Sequence, residues 1–391
     1  MGLKYDLLDD SKWIAGASYA RYNGKILDQI LMGATHQGNA QEVDFLAAAL
    51  PPGPYTWDDV FNLANYDFSA ASVAYASIPG VNIQLNPALK PPSVDEYQAS
   101  LAYTFSSAAI GTGYLRTTAV YKNWKNLIDY RVGDKGQIDY LIHPPNGQDF
   151  LYPTYIKYWD NNRDATRTYK ALELEFSTVK GCWQFLGSLT WSRLWGNYEG
   201  QDDTEPGRGE GIGSWNLDRN LTAPEGYLRG HVPFRARLMG TYTLDSRLGK
   251  TTLGLLFRFD SGSYVSETRI VSGGALSVSL PTEVQNAVFT QYKDGRRGTL
   301  VGASSSYLDV SVNHDWELRK VKAVPVRAFV RAVVKNVFNH QQILRRPKVY
   351  AAYPASYTDP WVPENPDTFG QPNGACFGEP RTYTISAGVR F

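Results

Sequence analysis

Cysteine and methionine are scarce, at 2 and 3 in a chain of 391 residues. So few cysteines exclude a disulfide-stapled framework. Long apolar runs are missing and the mean hydropathy is −0.35. That excludes a transmembrane helix, which needs about 20 consecutive apolar residues. An excess of one charge is missing: 39 Lys and Arg stand against 38 Asp and Glu, so nothing favours nucleic acid as a partner. The five histidines, His36, His143, His231, His314 and His340, fall at no metal-ligand spacing. There is no Gly-x-Ser-x-Gly, and no Ser, His and Asp set that the sequence draws together. The chain is therefore not expected to be an enzyme, and neither a metal nor a cofactor is implied. The opening MGLKYDLLDD lacks the basic start and apolar core of a signal peptide. A secreted form is expected to carry more sequence ahead of it.

Aromatic residues are abundant: 26 Tyr, 16 Phe and 10 Trp, 13% of the chain, within a hydrophobic fraction of only 43%. They fall in segments that alternate apolar and polar residues. The last segment, RTYTISAGVRF, sets Tyr383, Ile385, Ala387, Val389 and Phe391 against Thr382, Thr384, Ser386, Gly388 and Arg390. RARLMGTYTL sets Ala236, Leu238, Tyr242 and Leu244 against Arg235, Arg237, Thr241 and Thr243. LDVSVNHDW and VRAFVRAVVK repeat the pattern, with Asp309, Arg327 and Arg331 on their polar rows. Successive side chains of a strand point to opposite faces. Period-two segments of this kind predict about eleven strands.

The connections alternate in length. Short links lie near Asp9, Ser107, Lys180, Arg247 and Arg319; long ones run over roughly 23–95, 127–167, 196–231, 264–304 and 341–379. An up-and-down meander with all its long loops at one end is the pattern of outer-membrane barrels, whose short turns face the periplasm. Apolar rows that begin or end on rings agree with it, because amphipathic aromatics suit the membrane interface. Trp13, Tyr19, Phe105, Trp183, Trp191 and Trp316 are the expected girdle. The opposite rows would face a wet lumen, since so many arginines in a dry core would each need a buried partner. Arg235, Arg237, Arg258, Asp309, Arg327 and Arg331 are the candidate lumen-lining residues. They would either guide anionic solutes or pair with carboxylates of a plug or of neighbouring strands. A soluble all-β glycan-binding protein or enzyme would instead bury the apolar rows between two sheets and place paired carboxylates in a cleft.

The terminal strand ending on Phe391, with Tyr383 and Gly388 within it, resembles the C-terminal signal of bacterial outer-membrane proteins. That resemblance implies the barrel-assembly machinery and outer-membrane lipid as partners. VVKNVFNHQQ (Val333 to Gln342) resembles the penultimate strand of TonB-dependent receptors, and TYKALELEFS (Thr168 to Ser177) their Gly-Leu-Glu-Leu strand, with Ala171 at the glycine. Asn86 to Leu101 and Phe257 to Ser266 resemble the Oar-like branch. The resemblance implies a bacterial outer-membrane location. It also implies import of a scarce nutrient, such as a metal chelate, oligosaccharide or peptide, with energy from a TonB partner. Such receptors have a plug and a barrel of about 22 strands. The expectation is thus an all-β, antiparallel, up-and-down transmembrane barrel, of which residues 1–391 form the C-terminal half, without plug or signal peptide. The alternative is a passive porin or structural barrel.

Three smaller expectations complete the reading. The acidic cluster Asp202, Asp203, Glu205 and Glu210 has no EF-hand spacing and is expected to be a solvated loop tip rather than a calcium site; the neighbouring Gly207 to Gly213 lacks the strand and helix of a phosphate cradle. Trp57 to Phe68 suggests a short helix in the longest loop, whose aromatics are expected to pack within that loop, the alternative being contact with a ligand. Cys182 follows a short turn while Cys376 lies in the last long link, so the two are expected a membrane apart and unbonded.

Overall fold

The computed structural model describes residues 1–25, 42–45, 56–78, 80–200, 212, 214, 217–272, 288–321, 324–340, 342 and 377–390. The acidic cluster, Gly207 to Gly211, Gly213, Cys376 and Phe391 lie outside them.

Eleven strands form one antiparallel meander in chain order. They are β1 (Gly2–Asp6), β2 (Trp13–Asn23), β3 (Ser93–Ser107), β4 (Gly111–Lys125), β5 (Arg167–Lys180), β6 (Trp183–Gly196), β7 (Phe234–Ser246), β8 (Gly249–Asp260), β9 (Ser305–Val321), β10 (Val324–Lys335) and β11 (Thr382–Arg390). A twelfth strand of two residues, Gly226–Tyr227, pairs with the end of β6. Among the described residues β1 pairs only with β2 and β11 only with β10, so the sheet is open along both edges.

Each short link expected from sequence joins a hairpin. β5 and β6 are separated only by residues 181–182, with Gly181 at φ 56, a left-handed conformation that glycine adopts without penalty. The long links all leave the other end. They carry structure that alternation did not announce: a three-stranded sheet of Ile83–Leu85, Ile128–Ile142 and Phe150–Asn161, and three further two-stranded ribbons. β2 to β10 have 11 to 17 residues each, enough for the 9–11 residues that a tilted strand needs to cross a bilayer.

The register holds one face apolar across the sheet. Ala17, Ala99, Ala119 and Leu172 stand side by side from β2 to β5, and Leu238, Phe257 and Leu308 from β7 to β9. Many of these side chains are exposed, among them Leu101, Leu172, Leu253, Leu255 and Ile385. The polar face is concave: a hollow of about 770 Å³ is lined by Lys4, Gly16, Ser100, Arg116 and Thr118. The largest fully buried apolar side chains lie elsewhere. Ile78, Ile128, Ile142, Leu228 and Val271 all belong to the long connections, so the packed apolar core sits at the loop end. This inversion is what a lipid-facing sheet requires, because its apolar surface is covered by acyl chains rather than by protein.

Candidate functional site

All six polar-row candidates fall on the concave face. Arg235 stands opposite Asp260, Arg237 opposite Arg258, and Arg258 opposite Tyr307; Arg327 and Arg331 stand opposite Glu317 and Asn313. Two arginines facing each other would repel, and the carboxylates between them relieve this. Arg237 donates to both oxygens of Asp260 at 2.8 and 2.9 Å, and Arg235 lies 3.7 Å from the same carboxylate. Arg258 pairs with Asp309 at 2.9 Å and Arg327 with Glu317 at 3.1 Å. Further along the sheet Lys122 pairs with Glu96 at 2.6 Å and Arg116 with Glu175 at 3.4 Å. Of the two readings the sequence allowed for these arginines, pairing describes five of the six positions. Arg331 alone has no ion pair among the described residues.

Asp309 also fixes a backbone. Its Oδ1 accepts from the Asn336 N–H at 2.9 Å. Asn336, at φ 49, then ties its side-chain amide to the carbonyls of His340 and Glu379, and Asn339 accepts from the Arg381 N–H at 3.0 Å. The Asn-Val-Phe-Asn segment is thus a turn that brings β11 back beside β10. Gly388 has a packing reason of its own: a Cβ there would lie 2.9 Å from the Phe329 ring. Phe329 covers the glycine, and the Arg390 guanidinium lies 4.2 Å from the ring centre. Tyr383 stands opposite Val334 on the apolar face and is exposed.

The loop-end assembly is held by buried polar groups that lack any sequence period. Arg297 is the hub. Its side chain is 2% exposed and pairs with Glu199 at 2.7 Å. It also donates to the carbonyls of Pro224 and Asn197, and stacks 4.4 Å from Tyr292. It therefore joins the β6–β7 and β8–β9 connections. Asp129 is 2% exposed; its Oδ2 accepts from the Ile212 N–H at 2.8 Å and from Asn162 at 3.1 Å, while Oδ1 has no side-chain partner among the described residues. Burial pushes its carboxyl above the usual range. His231 is buried, stacked parallel to Tyr227 at 4.6 Å, and its Nδ1 accepts from the Leu194 N–H at 3.2 Å. Burial, with the charges of Arg193 and Arg235, lowers its pKa to about 4. Sequence inspection found none of these roles, because a loop hub is made by tertiary contact and leaves no local signal.

The helix suggested over Trp57 to Phe68 forms only as Trp57–Phe61, with Thr56 and Asp59 in a reciprocal capping box. Of the segment's aromatics, Phe68 packs within the loop as expected, edge-on to Phe45 at 5.2 Å and against Tyr66 at 6.0 Å, but the two helical ones do not. Trp57 and Phe61 are 77% and 74% exposed and stack on each other at 5.9 Å. One turn of helix puts residues i and i+4 on the same side, here away from the protein.

The outward face carries aromatics in two rows. At the short-turn end Trp13 meets Tyr103 at 4.5 Å, Phe105 meets Phe176 at 6.2 Å, Trp183 meets Tyr242 at 4.3 Å and Trp316 meets His314 at 4.4 Å. At the loop end Tyr19 meets Tyr97 at 5.1 Å and Trp191 meets Phe234 at 5.2 Å. The six residues singled out from sequence divide between these rows; the ring partners of Trp13, Tyr19, Trp183 and Trp191 come from the adjacent strand, that of Phe105 lies two strands away across β4, and that of Trp316 lies on the same strand.

Among the described residues no three His, Cys, Asp or Glu side chains gather as for a metal. An open, antiparallel meander with an outward apolar face, a concave polar face and its loops at one end defines a fold class, the wall of an outer-membrane β-barrel. Solved structures agree on the fold. The outer-membrane transporter YddB from Escherichia coli matches 99% of this chain at 12% identity and a TM-score of 0.51, over 39% of its own length. The siderophore receptor PirA from Acinetobacter baumannii matches 99% of this chain at 13% identity and a TM-score of 0.50, over 40% of its own length. The chain thus spans about two-fifths of the solved structures it matches. No protein-family profile matches it, nor does any curated protein.

Proposed function

We propose that the chain is part of the barrel wall of an outer-membrane, TonB-dependent receptor that imports a scarce nutrient. The observation that carries this reading is the inverted core: apolar side chains exposed along the sheet, and the largest fully buried apolar ones gathered at the loop end. A passive wall needs only the first of these. A receptor also needs a shaped surface outside the membrane, and a connection set locked by Arg297 and Asp129 supplies one. Trp57 and Phe61 are the proposed ligand contacts, since an exposed ring pair offers a stacking platform to a sugar, an aromatic chelate or a peptide side chain. Arg331 is the proposed lumen-lining cation; the paired arginines stiffen the wall. Within the receptors, the segments Asn86–Leu101 and Phe257–Ser266 support the Oar-like branch. The barrel-assembly machinery, acting on the β11 segment, and TonB, acting through a plug, are the proposed partners. The chemistry is binding and translocation, not catalysis.

Uptake by cells carrying the complete receptor tests this. A panel of labelled ferric chelates, oligosaccharides and peptides is offered with and without a protonophore. The expected result is saturable uptake of one class that stops when the proton gradient collapses. Uptake that is unsaturable and indifferent to the protonophore identifies a passive pore and refutes the reading.

A further inference from the structure

The outward face at the loop end carries a feature that a lipid-facing wall does not need. Lys170 of β5 and Arg193 of β6 stand directly opposite each other. Both are exposed, and neither has an ion pair among the described residues. They lie on the apolar face, in register with Leu172 and Trp191 one step nearer the membrane. Like charges directly opposite in a sheet repel, so the pair costs stability unless an anion sits between them. Arg193 is held rather than free to swing away, with its guanidinium 4.1 Å from the Trp195 ring centre. Beside the pair the surface dips. A depression of about 550 Å³ is floored by Ala99 and Ala119 and walled by Tyr97, Tyr121 and Lys170. Tyr97 and Tyr121 stack on each other at 6.1 Å, and the two alanines form the next row toward the middle of the strands, so the surface drops from the rings to the alanines beside Lys170.

The charges around it keep the sign positive. Arg21 and Lys125, farther out on the same face, share a single carboxylate, Asp95, at 2.5 and 2.8 Å. Glu225 is engaged by the Thr166 hydroxyl at 2.9 Å and by the Trp195 indole at 3.4 Å. Lys170 and Arg193 continue the register of the ring row Tyr19, Tyr97 and Tyr121, and Arg21 and Lys125 lie just beyond it, so four cations face two acids at the height where lipid headgroups lie.

We infer that Lys170 and Arg193 bind the phosphate of an outer-leaflet lipid whose acyl chain lies over Ala99 and Ala119. Arg presents a planar fork to phosphate oxygens, and Lys adds a point charge. The inference rests on the outer-membrane reading above.

The test uses the protein purified in detergent, with lipid binding followed by native mass spectrometry. The probes are a bisphosphorylated glucosamine-disaccharide lipid, the same lipid without phosphates, and inorganic phosphate. The phosphorylated lipid should bind at least about tenfold more tightly than the dephosphorylated one, as one charge-assisted hydrogen bond implies. Lys170→Gln with Arg193→Gln should abolish that difference, Lys170→Arg should keep it, and millimolar inorganic phosphate should not displace the lipid. Equal binding of the two lipids by the wild type overturns the inference without appeal to any variant, as does displacement by inorganic phosphate. Alkaline extraction of cell membranes separates the two levels of failure. A chain released into the soluble fraction refutes the membrane reading itself; an embedded chain that ignores phosphate refutes only this site.

Discussion

Leu238 and Met239 are neighbours on β7 that face opposite ways, and they measure what each face touches. Leu238 stands opposite Gly187 on one side and Phe257 on the other, on the apolar face; Met239 stands opposite Leu186 and Leu256 on the concave face. Phe234 and Tyr242 mark the two aromatic rows on this strand, and Leu238 is four residues from each. At about 3.4 Å per residue the rows are about 27 Å apart along the strand, or about 19 Å along the membrane normal at a tilt near 45°. Leu238 therefore lies at the middle of the apolar band. An arginine facing lipid at that depth costs about 2–4 kcal/mol, between about 30-fold and 700-fold in the folding equilibrium. Leu238→Arg should show that loss in urea titrations of the protein folded into phosphatidylcholine vesicles, with tryptophan fluorescence as the readout. Met239→Arg, one residue away and facing water, should lie within about 1 kcal/mol of the wild type, as surface substitutions do. Equal losses, or a larger one at Met239, would mean that the assignment of faces is wrong, since a slip of one residue exchanges them.

Other outcomes follow from the loop end and the turns. Arg297→Ala should cost about 3–5 kcal/mol, because it strands the Glu199 carboxylate; limited proteolysis should then cut the β6–β7 and β8–β9 connections while the sheet persists. His231 is held neutral, with its pKa lowered to about 4. The unfolded state therefore takes up the extra proton first, and stability falls as pH drops from about 6.5 toward 4, by at most about 3 kcal/mol; thermal melts of the wild type and His231→Gln should differ in slope over that window only. Asp129→Asn keeps an acceptor for the Ile212 N–H and should melt at or above the wild-type temperature, whereas Asp129→Ala should lose about 1–3 kcal/mol. Cys182, exposed in the β5–β6 turn, should react with an impermeant maleimide in spheroplasts but not in intact cells.

The sheet was legible in the sequence because a strand that separates lipid from water writes its faces into every second residue. Arg235 and Arg237 on β7, against Ala236 and Leu238, fixed strand, register and face together. The loops were not legible for the converse reason. Residues 128–142 form a strand in which Val132, Gly133, Asp134 and Lys135 keep no alternation, since this strand pairs within a loop and borders neither lipid nor lumen. The arginine partners were half legible. Diagonal pairs such as Arg237 with Asp260, or Arg258 with Asp309, depend on strand order as well as on face. Trp57 and Phe61 were misjudged because a composition of rings suggests burial, while a single helical turn capped at Thr56 has no second layer to bury them against.

The open edges bear on what completes the molecule. β1 leads into the short link near Asp9 and so runs toward the short-turn end, and direction alternates through ten connections, so β11 runs parallel to β1. An antiparallel seam between them is impossible, whatever the curvature. Two copies related by an axis along the membrane normal would also set β11 against β1 in parallel, at both seams. Only a complement with an odd number of strands, both of whose edges run the opposite way, makes every pairing antiparallel and the total even, as in bacterial single-chain barrels. Without it, each unpaired backbone group along the edges costs several kcal/mol in hydrocarbon. We propose that this complement is further barrel of the same receptor. The purified 391-residue chain should then give no stable single-channel conductance in planar bilayers. Steady conductance from a monomer would show that the edges close on each other, and that a parallel seam, against the argument made here, holds a membrane barrel shut.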